Sequence, residues 1–250
     1  YNDIDELENL IKDNKDEIAA IKMEVSRNEG PKGDYLQKVR DLATENKIVL
    51  IFDECTSGFR ETFGGLHKKF NVEPDIAVFA KAIGNGYAIS ACIGRKKIMQ
   101  AAQKTFISST FWTERIGSVA ALKTLEVMER IRSWEKITNI GKDVGKKWKA
   151  LANKYNLEIK VSGLPAVQSY SFCSKDNLKY KTLITQEMLK KGFLSTPLLF
   201  SCIEHNDEVI KSYMNALDDC FALVRECEDG KSIDKILEGP VCHSGFKRLN

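Results

Sequence analysis

The spacing of apolar residues along the first half of the chain predicts alternating helices and strands. Apolar positions three and four residues apart indicate amphipathic helices over residues 4–18 and 34–46. A strand is also expected over residues 19–25. Continuous apolar runs bounded by turn-forming residues indicate strands over residues 48–52 and 76–80. Because such runs are typical of strands buried on both faces, the pattern predicts an α/β fold with a mainly parallel sheet.

The pattern continues towards the C-terminus with longer helices and shorter strands. The further elements that it predicts are a strand over 87–93, helices over 96–102, 114–131 and 134–155, strands over 158–161 and 167–172, a helix over 178–190, strands over 193–195 and 198–202, and a helix over 206–228. We therefore expect residues 1–133 to be part of a large α/β domain and residues 134–250 to form a smaller α+β domain.

Composition and charge argue against several classes of function. The formal net charge of +3 comes from well-mixed charges, so no nucleic-acid-binding surface is expected. No apolar run is long enough to span a membrane, and the sequence has no signal peptide pattern. The 7 cysteines form no Cys-x-x-Cys pair, which indicates reduced thiols in a cytoplasmic protein. With only 3 histidines, a metal site is not expected.

Two charged residues end the two central apolar runs. Asp53 follows the run over 48–52, and Lys81 follows the run over 76–80. Since ligands bind at the carboxyl ends of parallel strands, we expect both side chains to lie at that edge of the sheet. Taken singly, such an aspartate is usually a turn former or a helix cap, and such a lysine is usually solvated. Together they supply an amine that attacks a carbonyl and a carboxylate for a protonated pyridine nitrogen, the two groups that pyridoxal phosphate requires.

The same stretch resembles the class III, fold type I, pyridoxal-phosphate-dependent aminotransferases, and most closely the glutamate-1-semialdehyde 2,1-aminomutase-like proteins. The motifs that carry the resemblance are Asp53-Glu54-Cys55, Gly58-Phe59-Arg60, Gly64-Gly65, and Pro74-Asp75 followed by a strand and Lys81. The resemblance runs through most of the chain. It implies that residues 1–133 are part of the pyridoxal-phosphate-binding large domain and that residues 134–250 are the small C-terminal domain.

The resemblance also implies roles for three residues around the pyridine ring. Lys81 would form the Schiff base with the cofactor and then move a proton as general base and acid. Asp53 would keep the ring nitrogen protonated. Cys55 stands where relatives carry valine or isoleucine and would pack behind the ring; a redox role is the alternative.

A fourth implied residue belongs to the loop after residue 107. Thr110 would bind the cofactor phosphate of the neighbouring subunit in a homodimer. The alternative is that residues 108–110 cap the next helix. The Gly-Asn-Pro sequence that follows this threonine in relatives is replaced here by Thr113, Glu114 and Arg115, so substrate preference is expected to differ.

Three functions stay open on the sequence alone. The first is an aminotransferase that uses a small-molecule amino donor and a carbonyl acceptor. The second is an aminomutase that moves the amino group within one substrate, and the third is an inactive, cofactor-free binding subunit. The presence of Asp53, Lys81 and Thr110 argues against the third. Because members of the family are longer at the N-terminus, we expect this chain to be a C-terminal fragment that binds the cofactor poorly by itself.

Overall fold

A computed structural model describes residues 1–26, 28–108, 110–111 and 113–245. The chain divides into two units, Tyr1–Lys136 and Ile137–Asn250. The division falls within a long helix that begins at Ser133, the last residue of the large domain expected from the sequence.

The first unit contains the residues predicted to carry the chemistry. Its helices and strands are α1 (Ile4–Asp13), β1 (Ala20–Glu24), α2 (Tyr35–Glu45), β2 (Val49–Asp53), β3 (Ile76–Phe79), β4 (Ala91–Gly94), α3 (Lys96–Met99) and α4 (Ile116–Ile131). Short 3-10 helices lie at Leu66–Phe70, Lys81–Ile83 and Gln100–Lys104.

The four strands form one sheet in the order β1-β2-β3-β4. β1 pairs with β2 and β2 pairs with β3 in parallel, whereas β4 runs antiparallel to β3. The register places Glu24 opposite Asp53 and Asp53 opposite Val78. The mainly parallel sheet predicted from the sequence is therefore confirmed, and Asp53 lies at its carboxyl edge.

One face of this sheet is buried within the unit. Leu50 and Phe52 of β2 are fully buried, and Ala77 and Phe79 of β3 are no more than 5% exposed. The residues between them, such as Ile51, are only half-buried. The prediction that these strands are buried on both faces is therefore wrong for the part of the chain that the structure describes, where α2 packs against β2 from one side.

Several predicted elements have different bounds in the structure, among them the first helix, the strand predicted over 87–93 and the segment over 193–195. The first helix ends at Asp13 because the side-chain amide of Asn14 donates to the carbonyl of Leu10 at 2.9 Å, and Asp16 then adopts a left-handed φ of 64°. The strand predicted over 87–93 forms only from Ala91. Residues 193–195 form a tight turn, in which the amide of Ser195 donates to the carbonyl of Phe193 at 2.9 Å, instead of a strand.

The second unit is an α+β arrangement, as predicted. Its elements are α5 (Ser133–Lys154, shared with the first unit), β5 (Ile159–Leu164), β6 (Val167–Phe172), α6 (Asn177–Lys190), β7 (Leu198–Phe200) and α7 (Asp207–Glu228). The strands form an antiparallel sheet in the order β5-β6-β7. Large side chains from α5, α6 and α7, among them Trp148, Leu183 and Phe221, are fully buried in one core. This core stabilises the unit through burial of apolar surface.

Candidate active site

Asp53 is the last residue of β2, and its carboxylate has two hydrogen-bond donors. Lys22 Nζ donates to Oδ2 at 2.8 Å, and the backbone amide of Cys55 donates to Oδ1 at 3.1 Å. The Asp53 side chain is 21% exposed. The hydrogen bond from Lys22, with help from Cys55, outweighs burial and lowers the pKa of the Asp53 carboxyl to about 2. The carboxylate is therefore ionised at neutral pH.

Lys81 begins the 3-10 helix that follows β3. Its φ of 49° lies in the left-handed region, which is unfavourable for residues other than glycine. Its ammonium group donates to Thr56 Oγ1 at 3.2 Å. Because Thr56 follows Cys55 in the chain, the Lys81 amine lies at the same strand end as Asp53. The Lys81 side chain is exposed, so its amine is accessible to a ligand.

Cys55 lies between Asp53 and Thr56, the residue that contacts the Lys81 amine. Its amide contacts Asp53, and its thiol lies 3.8 Å from the carbonyl oxygen of Val78. Burial, followed by the neighbouring Asp53 carboxylate, raises the pKa of the Cys55 thiol. A protonated, half-buried thiol is a weak nucleophile and a small apolar packing group, which favours packing over redox chemistry.

The loop after β2 is anchored by a buried charge. Glu54 is 0% exposed. Its Oε1 accepts a hydrogen bond from the backbone amide of His67 at 3.0 Å and lies 2.9 Å from His67 Nδ1. The hydroxyl of Ser57 donates to Oε2. Burial alone would raise the pKa of the Glu54 carboxyl, but these hydrogen bonds outweigh it and lower the pKa. This network fixes the segment that carries Cys55 and Thr56.

Two glycines let this loop close tightly. Gly64 has a φ of 125°, and its carbonyl accepts a hydrogen bond from the amide of Phe59 at 2.7 Å. At Gly58, an added Cβ would lie 2.6 Å from a ring carbon of Phe79. The loop therefore packs directly on β3.

Thr110 lies in an exposed turn before α4. Ser109 and Trp112, on either side of it in the same loop, are outside the described residues. The Glu114 carboxylate accepts hydrogen bonds from the amides of Ile116 and Gly117 at the start of α4. The alternative that residues 108–110 cap this helix includes Ser109 and so lies partly outside the described residues. Asp53 and Cys55 are thus in direct contact, and Lys81 contacts Thr56, the residue after Cys55, whereas Thr110 lies in a separate turn.

Three residues of this site were not predicted from the sequence. Thr56 contacts the Lys81 amine, Lys22 contacts Asp53, and Glu54 anchors the loop. The Glu54 role has a sequence signal, because a second carboxylate directly after a buried strand needs a partner if it is buried. Lys22 and Thr56 have no such signal, since their contacts depend on strand register and loop conformation.

Within the described ranges, no cluster of three or more His, Cys, Asp or Glu side chains is arranged to hold a metal ion. No helix in the same ranges has the length and apolar character needed to cross a membrane.

Comparison with known proteins identifies what this arrangement is similar to. The sequence pattern of the family described as aminotransferase class-III matches residues 2–208. The 3-aminobutyryl-CoA aminotransferase of Cloacimonas acidaminovorans (strain Evry) is 34% identical over 238 residues, which cover 90% of this chain and 58% of that protein. The glutamate-1-semialdehyde 2,1-aminomutase of Methanocaldococcus jannaschii is 32% identical over 242 residues, which cover 88% of this chain and 57% of that protein.

A solved structure gives the same result at the level of the fold. The FumI protein of Sphingopyxis sp. MTA144, solved in its PLP internal aldimine form, superimposes with a TM-score of 0.86 at 24% identity, covering 95% of this chain and 59% of that chain. The fold type I transaminase architecture predicted from the sequence is thereby confirmed. The chain spans less than two thirds of the length of these relatives, and it belongs to the class III aminotransferase family.

Proposed function

We propose that the whole protein is a pyridoxal-phosphate-dependent aminotransferase that moves an amino group from a small-molecule donor to a carbonyl acceptor, with Lys81 as its catalytic residue. The observation that carries the proposal is the Lys81 amine. It is exposed at the strand end next to Asp53, on a backbone held in the left-handed region. Unfavourable backbone conformations of this kind cluster at functional sites because the surrounding structure enforces them.

The residues at this edge of the sheet fit the chemistry of pyridoxal phosphate. A protonated pyridine nitrogen needs an ionised carboxylate, and the Asp53 carboxyl, with its pKa lowered to about 2, is ionised at neutral pH. The aldehyde needs an accessible amine, which Lys81 offers. A flat ring needs apolar neighbours, and the Cys55 thiol and the half-buried Val78 on the open face of the sheet provide them.

Each residue then has a defined task. Pyridoxal phosphate, when bound, supplies an aldehyde and a ring that accepts the electron pair released at the substrate carbon. Lys81 holds the cofactor between turnovers and, once its amine is free, takes and returns the proton at the substrate carbon. Thr56 Oγ1 orients that amine by accepting its hydrogen bond at 3.2 Å. Asp53 keeps the proton on the ring nitrogen by accepting a charge-assisted hydrogen bond.

We prefer transfer of the amino group between two substrates to its transfer within one substrate. The aminotransferase and the aminomutase named above are similar to the chain at 34% and 32% identity, so identity alone does not separate the two reactions. What favours a transferase is the match of residues 2–208 to the family described as aminotransferase class-III. The replacement of the Gly-Asn-Pro of relatives by Thr113, Glu114 and Arg115 leaves the choice between the two reactions to experiment. The test is to supply an amino donor to the whole protein and measure keto-acid release, because a mutase releases none.

A homodimer with Thr110 at the neighbouring subunit's cofactor phosphate is part of the proposal. It is supported by the exposed apolar surface near Thr110 in the chain, where Phe106 is 96% exposed and Leu122 is 69% exposed. Large apolar side chains that are exposed in this way occur at protein interfaces. Sedimentation of the whole protein as a monomer, with full activity, would contradict this arrangement.

We also infer a cytoplasmic location. All seven cysteines are free thiols, and Cys92, Cys173 and Cys202 are exposed. Exposed thiols without disulfide partners are typical of a reducing compartment. Localisation of the tagged whole protein in an oxidising compartment would contradict this inference.

The experiment that tests the catalytic assignment uses two variants of the whole protein. Lys81→Ala removes the amine, so we expect no measurable turnover. Asp53→Asn keeps the shape but loses the charge, and we expect a barrier about 3 kcal/mol higher, roughly a hundredfold lower kcat. Lys38→Ala, at an exposed site that only pairs with Asp34, is the control. Normal turnover in Lys81→Ala would refute the proposal, and failure of wild type to retain cofactor would favour the binding-subunit alternative.

A further inference from the structure

Lys22 is a charged residue of β1 for which the proposed reaction has no role. β1 and β2 are parallel, with Lys22 opposite Ile51 and Glu24 opposite Asp53. Because side chains alternate along a strand, Lys22, Glu24 and Asp53 all project from one face of the sheet. This is the half-buried face at whose edge the Lys81 amine lies. Lys22 is therefore next to the proposed cofactor site and not on the opposite side of the sheet.

The Lys22 side chain reaches along the strand to Asp53. Its Nζ lies 2.8 Å from Asp53 Oδ2, a distance typical of a charge-assisted hydrogen bond. The hydrogen bond to Asp53 is the first cause of the raised pKa of the Lys22 ammonium group. The Lys22 side chain is 63% exposed. The ion pair therefore depends on the positions and charges of the two side chains and not on burial.

The charges on this face explain why a cation is needed there. Glu24 and Asp53 are directly opposite each other on adjoining strands. Two like charges in that relation repel each other. The Lys22 ammonium group is attracted to both carboxylates, as the effects of Asp53 and Glu24 on its pKa indicate. It therefore offsets the repulsion and keeps Asp53 ionised beside Glu24.

We propose that Lys22 is a positioning residue of the cofactor site. Its ammonium group holds the Asp53 carboxylate in place, so that the negative charge of Asp53 is shared between Lys22 and the pyridine nitrogen. This inference rests on the proposed function. A carboxylate has about four lone-pair sites, and the Cys55 amide and Lys22 Nζ use two of them. Asp53 thus retains acceptor capacity for the ring nitrogen, which then lies beside an ion pair and not beside an isolated carboxylate.

The proposal has two measurable consequences. Removal of the Lys22 charge should make Asp53 easier to protonate, because the hydrogen bond from Lys22 is the main cause of its lowered pKa. It should also make the ring nitrogen easier to protonate, because a neighbouring positive charge opposes the formation of a pyridinium ion. A residue with only a packing role would change neither titration.

The first arm of the experiment needs no cofactor. The side-chain carboxyl of Asp53 is titrated by ¹³C NMR in the 250-residue chain as wild type, Lys22→Met, Lys22→Arg and Lys38→Met. Wild type should titrate near the pKa of about 2 that its contacts produce. In Lys22→Met the proton affinity of Asp53 should rise about tenfold, which is one pKa unit. Lys22→Arg should restore most of the wild-type value, and the exposed-site variant Lys38→Met should match wild type.

The second arm uses the whole protein loaded with pyridoxal phosphate that carries ¹⁵N in its ring. The ring-nitrogen shift, followed against pH, should give a proton affinity several-fold higher in Lys22→Met than in wild type. Cofactor retained with both titrations unchanged in Lys22→Met would overturn the role of Lys22 and leave the proposed function intact. Wild type that retains no cofactor would overturn the proposed function, and the inference about the ring nitrogen with it.

Discussion

Replacement of Asp75 tests how the sheet that carries the proposed site is held together. Asp75 precedes β3 and is 10% exposed. Its Oδ2 accepts hydrogen bonds from the backbone amide of Leu50 in β2 and from Arg40 in α2, both at 2.8 Å. Its Oδ1 lies 3.3 Å from Arg95, just after β4. One carboxylate thus ties three elements to the start of the strand that leads to Lys81.

The cost of losing this carboxylate follows from its partners. A hydrogen bond to a charged group contributes about 1.5–3 kcal/mol, and a buried amide left without a partner costs about 1–3 kcal/mol. Asp75→Ala leaves both the Leu50 amide and the largely buried Arg40 without their acceptor, so we expect a loss of about 3 kcal/mol in the free energy of unfolding of the first unit. Asp75→Asn keeps an acceptor oxygen and loses the charge, so about half of that loss is expected.

The pH dependence of this effect has a definite sign. Burial alone would raise the pKa of the Asp75 carboxyl, but the Leu50 amide and Arg40 outweigh burial and lower it. A carboxyl whose pKa is lower in the folded state stabilises the protein at pH values above its unfolded pKa of about 3.9. That stabilisation is lost as the pH falls through the folded value. The difference between wild type and Asp75→Asn should therefore shrink below about pH 4.

Urea denaturation of the 250-residue chain, with amide hydrogen exchange read at Leu50, measures the effect where it acts. The control is Asp34→Ala, which removes an exposed carboxylate 3.3 Å from Lys38 and should cost less than about 0.5 kcal/mol. If Asp75→Ala costs no more than Asp34→Ala, or if the Leu50 amide exchanges at the wild-type rate, Asp75 does not hold the sheet as described.

Three further predictions concern single residues. Gly141→Ala should destabilise the second unit by about 2 kcal/mol, because the added Cβ would overlap the backbone carbonyl of Pro165. Gly145→Ala should cost less, because the added Cβ would meet the side-chain amide of Gln168, which can move more easily than backbone; thermal unfolding compares the two. Cys220 is buried and its thiol pKa is raised to about 11, so iodoacetamide at pH 8 should label the exposed Cys173 well before Cys220, as peptide mass spectrometry would show. Lys81→Gly should be about 1 kcal/mol more stable than Lys81→Ala in urea denaturation, since glycine adopts a φ of 49° without strain.

The strands β2 and β3 were predictable because each is a continuous apolar run with a clear end. The order of Asp53 and Lys81 along the chain was informative for the same reason, since strands that are parallel and adjacent bring their carboxyl ends together. The antiparallel direction of β4 and the early end of α1 were not predictable. The direction of β4 depends on a pairing between distant segments, and the end of α1 depends on a side-chain hydrogen bond of Asn14. Neither feature changes the apolar pattern.

The partners of the site residues were the least predictable part. The contact between Lys22 and Asp53 exists only because β1 and β2 pair in one particular register. A shift of that register by one residue would place Lys22 on the other face. The contact of Thr56 with Lys81 likewise depends on the loop that the buried Glu54 anchors. The phosphate role of Thr110 stays a prediction, because it requires a second subunit.

Covalent capture of the cofactor tests the central claim most directly. The whole protein is incubated with pyridoxal phosphate, reduced with borohydride and digested, and the peptides are analysed by mass spectrometry. We predict one pyridoxyl modification per chain, located on Lys81, and none in Lys81→Ala. A modification spread over the exposed lysines, or one that persists in Lys81→Ala, would contradict the account.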